Sequence, residues 1–173
     1  MIERLKARSR ALDPHRALKL LQETCAASGW RIERVLHHQI VKERPGRRMV
    51  VRYDVEVSAP RDAAGRQMLY GKLYRGHGGE RFRAAWTDLH ARLPAGLCFP
   101  DLLGYHERRR FLLLRALAGA PLEDLLATHR AARALEACGR ALAGLHALHP
   151  SSSQATGAVA PRWRHHDARA DLN

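Results

Sequence analysis

An α+β fold, built on an antiparallel five-stranded sheet with a crossover helix, is predicted by three features of the sequence. Residues 47–58, RRMVVRYDVEVS, alternate in period two. Met49, Val51, Tyr53, Val55 and Val57 share one face and Arg52, Asp54, Glu56 and Ser58 the other, as a half-buried antiparallel strand requires. Residues 111–117, FLLLRAL, are almost continuously apolar and so belong to a strand buried on both faces. Beyond Pro121 apolar residues recur at spacings of three and four, so a strand-rich first part gives way to helices.

The elements follow in order. Asp13-Pro14 reads as an N-cap with proline at the first helical position, and Ala17, Leu18, Leu21 and Cys25 continue a helix that Ser28-Gly29 ends. RIERVLHHQIVKE, residues 31–43, is the first strand, joined to 47–58 through a Pro45-Gly46 turn as a hairpin. SAPRDAAGR is loop chemistry, and QMLYGKLYR, residues 67–75, forms a third strand with tyrosines and leucines on opposite faces. GHGGE breaks the chain before RFRAAWTDLHARL, residues 81–93, a helix with Phe82, Ala85, Trp86, Leu89 and Leu93 on one side. DLLGYHE is a strand bent at Gly104, followed by FLLLRAL. PLEDLLATHR is a short helix, and residues 133–149 form a long one with Leu135, Cys138, Leu142, Leu145 and Leu148 in a row. Residues 151–173 are small, polar and aperiodic and are expected to be flexible.

A chain of 173 residues is one domain with a sizeable core, and too short for a complete two-lobed enzyme. Its 46% apolar and 27% charged residues are ordinary for a globular protein, with no apolar run of ~18 residues to span a bilayer. MIERLKARSRALDPHR lacks the apolar core of a secretory signal, so a cytoplasmic protein is expected. Cys25, Cys98 and Cys138 are odd in number and far apart, and are read as reduced, packed thiols. The histidine pairs His37-His38 and His165-His166 have no metal-ligand partners at recognisable offsets and are read as surface groups.

A formal net charge of +13 points to polyanions as partners. Only four of the thirty basic residues are lysines, and the arginines are spread through every segment together with abundant alanine, which dilutes that signal. Against this background Lys72 stands out, mid-strand in LYGKLYRG with Tyr70 and Tyr74 on its own face. A cation among aromatics either snorkels to an edge or projects into a cleft, where it becomes a point charge for phosphate.

In their order, RRMVVRYDV, LYGKLYRG, CFPDLLGY, FLLLRALAGAPLEDLL and GRALAGLHALH resemble the N-terminal lobe of the protein-kinase-like fold. More narrowly they are similar to the aminoglycoside phosphotransferase family of small-molecule kinases, from about Val35 to His149. The resemblance implies a helical extension over 1–29, a kinase-like lobe with its hinge over 30–117, the start of a helical second lobe over 118–150 and a tail over 151–173.

It also implies that Lys72 holds the phosphates of ATP and that Tyr70 faces the base. Leu113 would be the gatekeeper, and the Leu114 carbonyl and Ala116 amide would meet the adenine edge. The family's crossover helix carries a glutamate that pairs with the lysine. Trp86 falls near that place, and Glu80 and Asp88 are the acids beside it. KERPGRR, residues 42–48, stands where a turn covers the phosphates, although Pro45-Gly46 equally serves to close a hairpin.

The family's catalytic aspartate, asparagine and metal-binding aspartate lie well beyond the helix that carries Leu145-His146. HHDARADLN, residues 165–173, imitates HGDxxxxN, but Asn173 falls six residues after Asp167 instead of five and the motif follows the helix too soon. The resemblance therefore implies an incomplete phosphotransferase without catalytic residues of its own. Such a chain would bind ATP weakly, would not hold Mg2+ without the C-terminal lobe, and would self-associate or take a complementing C-terminal chain as partner. The competing reading is a basic module that holds nucleic acid or another polyanion through Arg44, Arg47, Arg48 and Arg52.

Overall fold

The computed structural model describes residues 11, 13–44, 47–60, 64–94 and 96–148. The expected tail, Asp167 and the Pro45-Gly46 turn lie outside them. Among the described residues the order is α1 (Pro14–Cys25), a 3-10 turn (Ala26–Ser28), β1 (Arg31–Arg44), β2 (Arg48–Ala59), β3 (Gly65–Tyr74) and α2 (Gly78–Ala91). There follow β4 (Leu102–His106), a 3-10 turn (Glu107–Arg109), β5 (Phe111–Arg115), α3 (Leu122–Leu126) and α4 (Ala131–His146). The strands form one antiparallel sheet in the order β1-β2-β3-β5-β4, so the α+β class and the five-stranded antiparallel sheet are as the sequence predicts. No helix among the described residues is long and apolar enough to cross a membrane.

Helix α1 begins where the side chain of Asp13 accepts the amide of Arg16 at 2.8 Å, with Pro14 in the first turn. Asp13→Ala leaves that amide without its cap and is expected to cost about 1 kcal/mol in a urea melt. The helix lays Ala17, Leu20, Leu21 and Cys25 on one face of the sheet. There it meets the alternate residues Met49, Val51, Tyr53, Val55 and Val57 of β2, all buried, with Leu69, Phe111 and Leu113. Each large apolar side chain withdrawn there contributes roughly 1.5–3 kcal/mol.

Polar groups at this interface are paired. Tyr53 donates its hydroxyl to the Ala11 carbonyl at 3.0 Å, and Gln22 donates to the Ile32 carbonyl at 2.7 Å. Burial pushes the Cys25 thiol up to about 11, which keeps it unreactive at neutral pH.

Two glycines expected to interrupt the chain instead start a helix. Helix α2 begins at Gly78, three residues before the predicted Arg81, and Gly79 is buried in its first turn. A Cβ on Gly79 would lie 2.6 Å from the ring of Tyr105, so any side chain there would have to displace that ring as the helix closes on β4. Glu80, in the same turn, sits where a carboxylate favours the helix dipole.

The helical end is more open. Along α4, Cys138 and Leu145 are half-buried while Leu135 is 53% and Leu142 49% exposed, so the predicted apolar row is only partly covered. Leu117, Leu122 and Leu126 are also exposed.

Candidate functional site

Side chains of directly opposed residues in an antiparallel pair lie on the same face, so register assigns each residue its side of the sheet. Lys72 lies opposite Val50 on one flank and Leu112 on the other, and Tyr70 lies opposite Arg52 and Leu114. Arg48, opposite Tyr74, belongs to the same face. This is the side away from α1. Its chemistry is a band of cations and aromatics over a floor of leucines.

Helix α2 crosses the same side and brings Phe82 to Lys72, whose Nζ lies 4.7 Å from the ring centroid. Phe82 stacks on Trp86 at 5.1 Å between centroids, and Trp86 meets Phe99 at 5.2 Å. The indole of Trp86 donates to the Pro100 carbonyl at 3.2 Å, which ties this aromatic column to the loop before β4. The cation over a ring face is an attractive electrostatic contact. Burial first, and the charge of Arg48 second, hold the Lys72 ammonium below the ordinary lysine range.

Several residues expected at the site are placed differently. Glu80 does not meet Lys72; its carboxylate lies 3.2 Å from His77 Nδ1, at the outer surface of α2. Asp88 pairs with Arg92. No described carboxylate forms an ion pair with Lys72, whose place of contact on α2 is taken by an aromatic ring.

Leu113 is not a gatekeeper on the lysine side, because it lies opposite Gly71 and packs in the core beneath α1. Leu114 faces Tyr70 instead. A slip of one residue exchanges the two faces of a strand, and the run LLLR offers no alternation to set it.

The backbone of the segment after β5 is also engaged. Ala116 donates its amide to the Met68 carbonyl at 2.9 Å, so it is not available to a base. Opposed pairs alternate between bonded and non-bonded, which puts the Leu114–Tyr70 pair in the same bonded class as Ala116–Met68. Both backbone groups assigned to an adenine edge therefore face β3. Tyr70 and Lys72 remain side by side on the open face.

Phe82 is the site residue that sequence reasoning missed, and Arg48 enters it only in the phosphate-covering turn and in the polyanion-binding set, not as a neighbour of Lys72. Phe82 was legible as part of the apolar stripe of α2. That Phe82 and Arg48 converge on Lys72 depends on the β2–β3 register and on the helix crossing.

The clefts of about 270 Å3 beside Arg16, Lys19 and Arg109 and about 390 Å3 beside Trp30 and Arg31 lie away from Lys72. Among the described residues no group of three histidine, cysteine or acidic side chains is placed to hold a metal ion. No family model, curated protein or solved structure matches the chain.

Proposed function

We propose that residues 30–117 are a nucleotide-binding lobe of the aminoglycoside phosphotransferase type, which holds the phosphates of a nucleoside triphosphate at Lys72. The supporting observation is the placement of Lys72. It sits mid-β3 on the face that α1 leaves open, half-buried against Phe82 of the crossover helix, with no described carboxylate to neutralise it. A partly desolvated ammonium with no counter-charge attracts phosphate strongly. Tyr70, two residues along the same face, offers a ring on which a base can stack.

The mode of base recognition follows from the corrected geometry. Stacking is sequence-tolerant, and the Ala116 amide is spent on Met68. ATP and GTP are therefore expected to bind alike, within a few-fold. Phosphoryl transfer needs a base and metal-binding carboxylates on a catalytic loop, and none of the described residues is assigned those roles. In this reading residues 118–150 begin the second lobe.

Calorimetry and thermal melts with ATP, GTP and adenosine test the reading. A ligand at a hundred times its Kd stabilises by about 2.7 kcal/mol, which for a chain of this size raises Tm by several degrees. ATP and GTP should both produce the shift, and Lys72→Ala should remove it while leaving the unliganded melt in place. A wild-type melt indifferent to triphosphates would defeat the proposal.

The polyanion reading is favoured by one observation. Lys42, opposite Val50, and Arg44, opposite Arg48, extend the cationic face along β1. Nucleic-acid affinity that falls steeply with salt and survives Lys72→Ala would decide for it.

A further inference from the structure

We infer that Arg48 is the second cation of the Lys72 site, and that the two together form an oxyanion cradle for linked phosphates. The inference rests on the nucleotide reading for its biological ligand but on the sheet register for its geometry.

Arg48 opens β2 opposite Tyr74, and Lys72 lies opposite Val50, so the two cations are diagonal neighbours on one face. Diagonal positions in an antiparallel pair are roughly 7–8 Å apart, within reach of two long side chains. Both residues are half-buried. The Nε of Arg48 is buried and has no hydrogen-bond partner among the described residues. A buried guanidinium N–H without an acceptor is costly and calls for one.

Arg52, the next cation on that face of β2, shares the buried Nε without a hydrogen-bond partner and differs from Arg48 only in its counter-charge. Arg52 has the Asp54 carboxylate 3.9 Å from its Nε. Arg48 has no described carboxylate in ion-pair range, and its charge acts on Lys72, lowering the pKa of the ammonium. The acids of α2 that were candidates for this role are engaged with His77 and Arg92.

Two cations held together in partial burial repel unless an anion lies between them. A planar guanidinium fork suits one phosphate and a compact ammonium suits its neighbour, so di- or triphosphate matches the pair better than one isolated anion. Lys42 and Arg44, on the same side of β1, add to the positive potential that would draw such a ligand in. The charge is segregated along the sheet, since the acids Asp54 and Glu56 of this face of β2 lie toward its other end.

The probe is inorganic tripolyphosphate, titrated into the full chain by calorimetry beside orthophosphate, ATP and adenosine. Tripolyphosphate should bind far more tightly than orthophosphate. Arg48→Gln and Lys72→Gln should each weaken it about tenfold or more, as expected for loss of a charge-assisted contact, with Arg48→Lys keeping part of the affinity. Arg47→Gln removes the same charge one residue away and should change little. Melts of each unliganded variant report whether it still folds, and Arg48→Lys keeps the comparison readable if Arg48→Gln does not.

Failure of tripolyphosphate to bind, or equal loss in Arg47→Gln and Arg48→Gln, would overturn the inference. ATP binding that needs Lys72 but ignores Arg48 would overturn it too and leave the nucleotide reading standing. Tripolyphosphate binding that depends on both cations, with no gain for ATP, would uphold the cradle and defeat the nucleotide reading.

Discussion

Replacing Gly104 with alanine is expected to cost about 3 kcal/mol or more, near the upper end for a single added methyl. A Cβ at this position would lie 1.9 Å from the Thr24 carbonyl oxygen and 2.9 Å from its carbon. Both are backbone atoms of α1, and no rotamer change can move them aside. Thr24 is further pinned because its hydroxyl donates to the Leu20 carbonyl at 2.6 Å. The helix end is also tied to β4 by the contact of His106 with Glu23 at 3.3 Å. To admit the methyl, α1 must lift from β4 and loosen the burial of Leu20, Leu21 and Cys25 beneath it.

For a chain of this size each kcal/mol lowers Tm by about 2–4 °C, so a fall near ten degrees is anticipated. Gly139→Ala is the matching control. Nothing lies within 4 Å of a Cβ there, and Gly139 is inside α4, where alanine should stabilise by about 0.5–1 kcal/mol. A Gly104→Ala melt within experimental error of wild type would show that α1 does not ride on β4 as closely as described.

Gly104 illustrates where sequence reading stops. A glycine in a strand signals a bend or a close approach, and only the packing of α1 shows that the approach is to a helix backbone. What was legible had a period. The alternation in β2 placed Met49, Val51, Tyr53, Val55 and Val57 on the core side, and Asp13-Pro14 marked the start of α1. Local chemistry alone determined those features.

Where the period vanished, the reading slipped. Phe111 to Leu114 are all buried, so nothing in the letters says whether Leu113 or Leu114 faces Lys72. Pairing with Gly71 and Tyr70 decides it. The partner of Lys72 was out of reach for a related reason: the helix stripe with Phe82 and the strand face with Lys72 were each visible, but their contact is tertiary. The electrostatic expectation of a glutamate there gives way to a ring whose face the ammonium meets.

Gly71→Ala should couple the core to the site in a measurable way. Gly71 lies beside Lys72 in β3 and points to the opposite face, where a Cβ would sit 2.5 Å from Cε2 and Cζ of Phe111 and 2.8 Å from Cε2 of Tyr53. The two rings meet edge to face with centroids 6.5 Å apart, and both are fully buried. Tyr53 is tethered through its hydroxyl to Ala11 and cannot withdraw. The added methyl must displace Phe111 or push β3 outward, at about 1–3 kcal/mol.

Phe111→Leu alone removes ring atoms from the same place and costs about 1–2 kcal/mol in lost burial. Combined, the alanine methyl fills space the ring vacated, so the double variant should be more stable than the sum of singles by about 1 kcal/mol or more. Displacement of β3 also carries Lys72 away from Phe82. Gly71→Ala should therefore weaken tripolyphosphate binding although it touches only the buried face, and Phe111→Leu should restore part of it. Strict additivity in the urea melts, or phosphate binding indifferent to Gly71→Ala, would mean that β3 absorbs the methyl without moving the lysine.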